Sequence, residues 1–195
     1  MDIEEILNLG TYPIDDSGTP GGQALIDRCR ADLRKNLYCS IPDFVSPQAL
    51  AFMAEEVTGL KAEAYHNHSL RNCYLHQSKD TALPQDHALN LQDRSSVRMI
   101  AYDQLIEASP LKTFYQSKIV QELVAGIVGE GPLYPNIDAY QPANYVYYEN
   151  GDESSWHFDS DNSFTMTLMI QPADHGGIFQ MSANTRSASS ENYQQ

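Results

Sequence analysis

Hydrophobic spacing changes period once along this chain, near Pro132, and that change limits the possible folds more than any other feature. Upstream, Leu25, Ile26, Cys29, Leu33 and Leu37 recur at helical spacing and predict an amphipathic helix from about Gln23 to Asn36. Ser46-Pro47 pairs an N-cap with proline at the first helical position, opening a helix to about Thr58 with Gly59 as its stop. Ser109-Pro110 repeats the signal, and Leu111, Phe114, Leu123 and Ile127 lie on the apolar face of a further helix that Gly129 ends. Short strands are expected at 37–41 and 97–102. Downstream, 144–149, 156–159, 164–171 and 178–181 read as strands. The clearest is the alternation of Phe164, Met166, Leu168 and Ile170 with Thr165, Thr167, Met169 and Gln171. Helices first and antiparallel strands later predict an α+β fold, with helices buttressing one face of a sheet or barrel.

A chain of 195 residues suits one domain with a real core. Its 42% apolar and 19% charged residues are those of a folded protein rather than a disordered one. Residues 1–131 divide into helical support and a polar, histidine-bearing excursion over 62–96, with a strand expected near Cys73–Leu75. A loop that long in a compact domain is commonly functional. The net charge of -14 speaks against nucleic acid or an anionic membrane surface as partner, because both would repel it. A small molecule is the expected partner, a cationic one matching the sign best. The start, Met-Asp-Ile-Glu-Glu-Ile-Leu, is acidic and carries no apolar h-region, and no run approaches a membrane span. Cys29, Cys39 and Cys73 are odd in number and lack metal-type spacing, so reduced core thiols in a cytoplasmic setting are expected.

The chemistry centres on His157-Phe158-Asp159. On a strand His157 and Asp159 project to one side and Phe158 to the other, so an imidazole nitrogen and a carboxylate oxygen can share one metal ion. Such a pair is two thirds of the 2-His-1-carboxylate set of a non-haem Fe(II) centre. The bland alternative is a histidine hydrogen-bonded to an acid at a strand end. His66 and His68 form an H-x-H pair without a partner acid at suitable spacing, and read as solvated loop histidines, like His76 and His87. His175, beside Gly176-Gly177, reads as a loop tip rather than a ligand. No dinucleotide, P-loop or serine-hydrolase motif is present.

The pattern Tyr148-x-x-Gly151 followed by His157-x-Asp159 resembles the Fe(II)/2-oxoglutarate-dependent dioxygenases. Gly151-Asp152, Trp156 to Asp159, Gly176 to Phe179, Asn184 to Ser187 and Glu191 to Tyr193 resemble the bacterial subgroup of free-amino-acid halogenases and their hydroxylase relatives. The specific part covers about 142–193. The resemblance implies a double-stranded β-helix, or jelly-roll, of which 132–195 would supply the first strands. It implies Fe(II), 2-oxoglutarate as co-substrate and O2, with His157 and Asp159 as metal ligands. Tyr148 would offer its hydroxyl to 2-oxoglutarate, or else be a packed core aromatic. Arg71-Asn72 would meet a substrate carboxylate or simply lie exposed, and exposure is the reading adopted. In the halogenases a small residue replaces the acid and leaves room for chloride, so Asp159 implies hydroxylation of a small polar metabolite such as a free amino acid. The family's distal histidine and 2-oxoglutarate arginine cannot be located, and Arg186 precedes a polar tail. The expectation is therefore a chain lacking the second half of its barrel, with little turnover of its own. The rival reading is a non-catalytic metal- or ligand-binding half-barrel.

Overall fold

The computed structural model describes residues 1–14, 18–159, 164–182 and 185 of the chain. The fold is α+β, and the chain divides into two compact units, Met1–Glu63 with Ile100–Tyr145 and Ala64–Met99 with Val146–Gln195.

The first unit is helical: α1 (Ile3–Ile6), α2 (Pro20–Asn36), α3 (Pro47–Leu60), α4 (Pro110–Gln116) and α5 (Lys118–Val128). Helix α2 starts where Thr19 accepts a bond from the Gly22 amide at 3.2 Å, with Pro20 at the first position. Ser46 caps α3 in the same way through the Ala49 amide. Its hydroxyl also donates to the Glu5 carbonyl at 2.7 Å, which ties α1 to the start of α3. The cores of these helices meet at Ile6, Met53, Ile100 and Leu123, all essentially inaccessible to water. Gly126 lets α5 approach α2 closely, since a Cβ there would lie 2.8 Å from Ile26 Cδ1. The Gly126 carbonyl accepts from Arg30 Nε at 2.6 Å across the same contact.

Two helical expectations change. The helix predicted from Pro110 to Gly129 is two helices, because Ser117 takes an extended conformation (φ -66°, ψ 124°) between them. Its carbonyl accepts the first bond of α5 from the Gln121 amide, so the second helix starts afresh at this residue. The strand predicted at 37–41 is absent. Leu37 adopts the left-handed conformation (φ 63°) that closes α2, which leaves Leu37 and Tyr38 exposed.

The second unit carries β1 (Tyr65–Arg71) and β2 (Asp93–Ile100), antiparallel, with Tyr65 opposite Met99 and Arg71 opposite Asp93. Strand β3 (Tyr145–Tyr147) completes a three-stranded sheet of order β1-β2-β3. The excursion over 62–96 thus opens on β1 and closes in β2, with a built loop over 72–92 between them, and 73–75 is a turn within that loop. The predicted strand at 97–102 starts earlier, at Asp93, and ends at Ile100. Of the strands expected after Pro132, Tyr145–Tyr147 alone forms among the described residues. Residues 164–182 keep their apolar alternation but make no backbone hydrogen bond to any described residue. Alternation is set locally, whereas a ladder needs a partner strand. Among the described residues no helix is long and apolar enough to cross a membrane.

Cys29, Cys39 and Cys73 form no disulfide. Burial, more than any neighbour, pushes Cys29 up to about 11, so it is a packed thiol rather than a nucleophile.

Candidate metal centre

The turn that leads into the candidate site is bolted to β2. Asp152 accepts from the Ser96 hydroxyl on one oxygen, and from Arg98 Nε and the Glu149 amide, both at 2.9 Å, on the other. Arg98 also pairs with Glu149 at 3.2 Å. Ser96 and Glu153 exchange two backbone bonds, and Arg94 donates to the Gly151 carbonyl at 2.9 Å. Gly151 itself has φ 89°, which accounts for glycine at that turn position. The Ser96 hydroxyl, then the Glu149 amide and the Arg98 guanidinium, hold the Asp152 carboxyl well below the usual carboxylate range.

This shift carries a sign. A carboxyl whose folded pKa is depressed adds stability above its ordinary value of about 3.9, and that stability fades as pH falls below it. Asp152→Asn should therefore flatten the acid limb of stability against pH below about 4. Denaturant titrations at a series of pH values check this, and parallel wild-type and variant curves would contradict it.

Beyond the turn, Ser155 is buried and takes two bonds. Its hydroxyl accepts from Arg71 Nε at 2.8 Å, and its carbonyl lies 2.8 Å from His157 Nδ1. A carbonyl only accepts, so Nδ1 carries a proton, and in the neutral imidazole it is Nε2 that presents the lone pair. Asp159 Oδ1 lies 3.7 Å from that Nε2, too far for a hydrogen bond. The other carboxylate oxygen accepts from the Thr165 hydroxyl at 3.2 Å. Phe158 turns the other way, its amide donating to the Cys73 carbonyl at 2.9 Å and its ring 5.3 Å from that of Tyr74. The alternation expected of 157–159 is therefore present without a strand.

This donor set fits a divalent cation. Two Lewis bases face one another, and each has an outer hydrogen bond of the kind that orients a metal ligand, Ser155 behind His157 and Thr165 behind Asp159. Among the described residues no group of three His, Cys, Asp or Glu side chains converges. His175 is exposed near the turn expected for it. Arg186 and most of the tail motif lie outside the described residues.

Other residues stand differently from expectation. His66 is not a loop histidine: it lies on β1, with Nε2 2.7 Å from Ser96 Oγ and its ring stacked on His68. His87 caps a short turn by accepting from the Leu89 amide. Tyr148 is half exposed, at 51%, and no hydrogen bond ties it to His157 or Asp159. Arg71 is half-buried rather than exposed and, among the described residues, forms no ion pair. It shares Ser155 with His157, a relation that sequence spacing gave no means to find. Asp152 was visible in the Gly-Asp dipeptide, but its bonding was not.

The sequence profile of a family described as Halogenase D matches residues 22–193, nearly the whole chain. The chain belongs to the Halogenase D family. No curated protein and no solved structure gave a significant match. Family membership makes the chain halogenase-like, and the His157–Asp159 pair lies inside the matched region.

Proposed function

We propose that this member of the Halogenase D family is an Fe(II)/2-oxoglutarate-dependent oxygenase that hydroxylates a small polar metabolite of the free-amino-acid class. The observation that carries the reading is the His157 Nε2 lone pair facing the Asp159 carboxylate within a matched halogenase sequence. His157 and Asp159 would hold the iron on one side, the double-stranded β-helix being the proposed setting. When bound, iron with 2-oxoglutarate and O2 supplies an oxidant able to take hydrogen from an unactivated C–H bond.

The chain's own residues orient and anchor. The Ser155 carbonyl fixes the His157 tautomer, and Thr165 holds one Asp159 oxygen so that the other faces the imidazole. Arg71, bonded to Ser155 two residues before His157, places there a cation without a carboxylate partner among the described residues, which suits a substrate carboxylate. Tyr148, half exposed and without a hydroxyl partner among the described residues, would offer that hydroxyl to 2-oxoglutarate.

The family name raises the choice between halogenation and hydroxylation. Asp159 decides it in this proposal: its carboxylate occupies the side of the pair where a halogenase leaves room for chloride. In a form of the protein that turns over 2-oxoglutarate, the expected products with Fe(II) and saturating chloride are an alcohol and succinate. Chlorinated product from any amino-acid substrate would sink the hydroxylase assignment, and ligand binding without succinate would favour the non-catalytic half-barrel.

A further inference from the structure

We infer that Asn72 is a positioning residue for the His157–Asp159 segment, acting through the loop it builds between β1 and β2. The inference rests on the metal-binding reading above. Asn72 is 2% exposed, and both ends of its amide are bonded. Its Oδ1 accepts from the Tyr74 amide at 3.0 Å and the His76 amide at 2.9 Å, while Nδ2 donates to the Leu89 carbonyl at 2.6 Å. Its backbone joins in, the amide donating to the His76 carbonyl and the carbonyl accepting from Leu75, which sits at φ 66°.

These bonds fold Cys73–His76 into a tight turn and pin it to the far end of the loop. The turn then offers two grips on Phe158, the Cys73 carbonyl to its amide and the Tyr74 ring to its ring. Phe158 stands between the two ligands, and Arg71, the neighbour of Asn72, holds Ser155 just upstream. Residues 156–159 have no strand ladder of their own, so these grips set where the imidazole and carboxylate point. Only an amide of this length supplies two acceptor contacts and one donor together. Aspartate lacks the donor to Leu89, and alanine lacks all three.

A second buried asparagine gives the control. Asn90, 3% exposed, braces the middle of the same loop through Asp80 and Pro84, and its side chain makes no hydrogen bond to 73–76. The test is hydrogen exchange in the metal-free protein, followed by Co(II) titration. In Asn72→Ala the Phe158 amide should lose about tenfold or more of its protection while α5 amides keep theirs. Asn72→Asp, which retains the turn acceptors, should fall between, and Asn90→Ala should leave Phe158 protected. Co(II) affinity should drop about tenfold in Asn72→Ala, as for loss of an outer-shell support. Unchanged Phe158 protection, or an equal loss in both alanine variants, would overturn the inference. If wild type binds no Co(II) but the exchange pattern holds, the metal reading fails and the positioning of this segment by Asn72 stands.

Discussion

His157→Ala is expected to abolish iron-dependent 2-oxoglutarate oxidation and to remove the electronic absorption of bound Co(II). The imidazole supplies the neutral nitrogen of the pair, and its Nδ1 is already committed to the Ser155 carbonyl, so Nε2 is the donor lost. What remains is one carboxylate, 63% exposed, supported by Thr165. A single exposed carboxylate competes poorly with water for a divalent ion and cannot impose facial geometry. The fold should survive, because the His157 side chain is about one third exposed and packs no core. Metal titration and far-UV circular dichroism together check both halves. Metal affinity equal to wild type in this variant would show that the ion binds elsewhere.

Tyr148→Phe is expected to raise the apparent KM for 2-oxoglutarate by roughly ten- to a hundred-fold with a smaller change in kcat. A hydroxyl bonded to a carboxylate contributes about 1.5–3 kcal/mol, which corresponds to that range. The substitution reads the hydroxyl alone. The ring is half exposed, no hydrogen bond ties it to His157 or Asp159, and phenylalanine keeps its shape. A KM unchanged within twofold would make Tyr148 a surface aromatic with no part in co-substrate binding.

The helical half was the more legible one. Ser46 and Ser109, each followed by proline, marked starts that the structure keeps, and Gly129 marked an end, whereas the Thr19-Pro20 start of α2 lies three residues ahead of the one expected near Gln23. These are local signals, because a cap satisfies amides only a few residues away. Ser117 shows where locality stops, since the apolar spacing of Leu111, Phe114, Leu123 and Ile127 suits one bent helix or two equally well. Strand β1 and the first half of β2 were missed for a different reason. Their residues are mostly histidine, asparagine, serine, arginine and aspartate, and the serines buried on β2 carry no hydrophobic period to find. Opposite Asp152 those same polar residues become a bonding surface, with Ser96 and Arg98 as donors.

At the candidate site, the sequence by itself determined which residues face together. Spacing of two put His157 and Asp159 on one side and Phe158 on the other, because backbone geometry alternates side chains whether or not a partner strand is present. Membership of the halogenase family was likewise carried by motif order along the chain. Only the tertiary structure decided what surrounds that pair: the Ser155 carbonyl that sets the imidazole proton, the Arg71 guanidinium on the same serine, and the loop braced by Asn72. Arg71 and Ser155 are joined across a chain separation of 84 residues. A contact of that kind is selected by the folding of the whole unit, so no local pattern around either residue announces it.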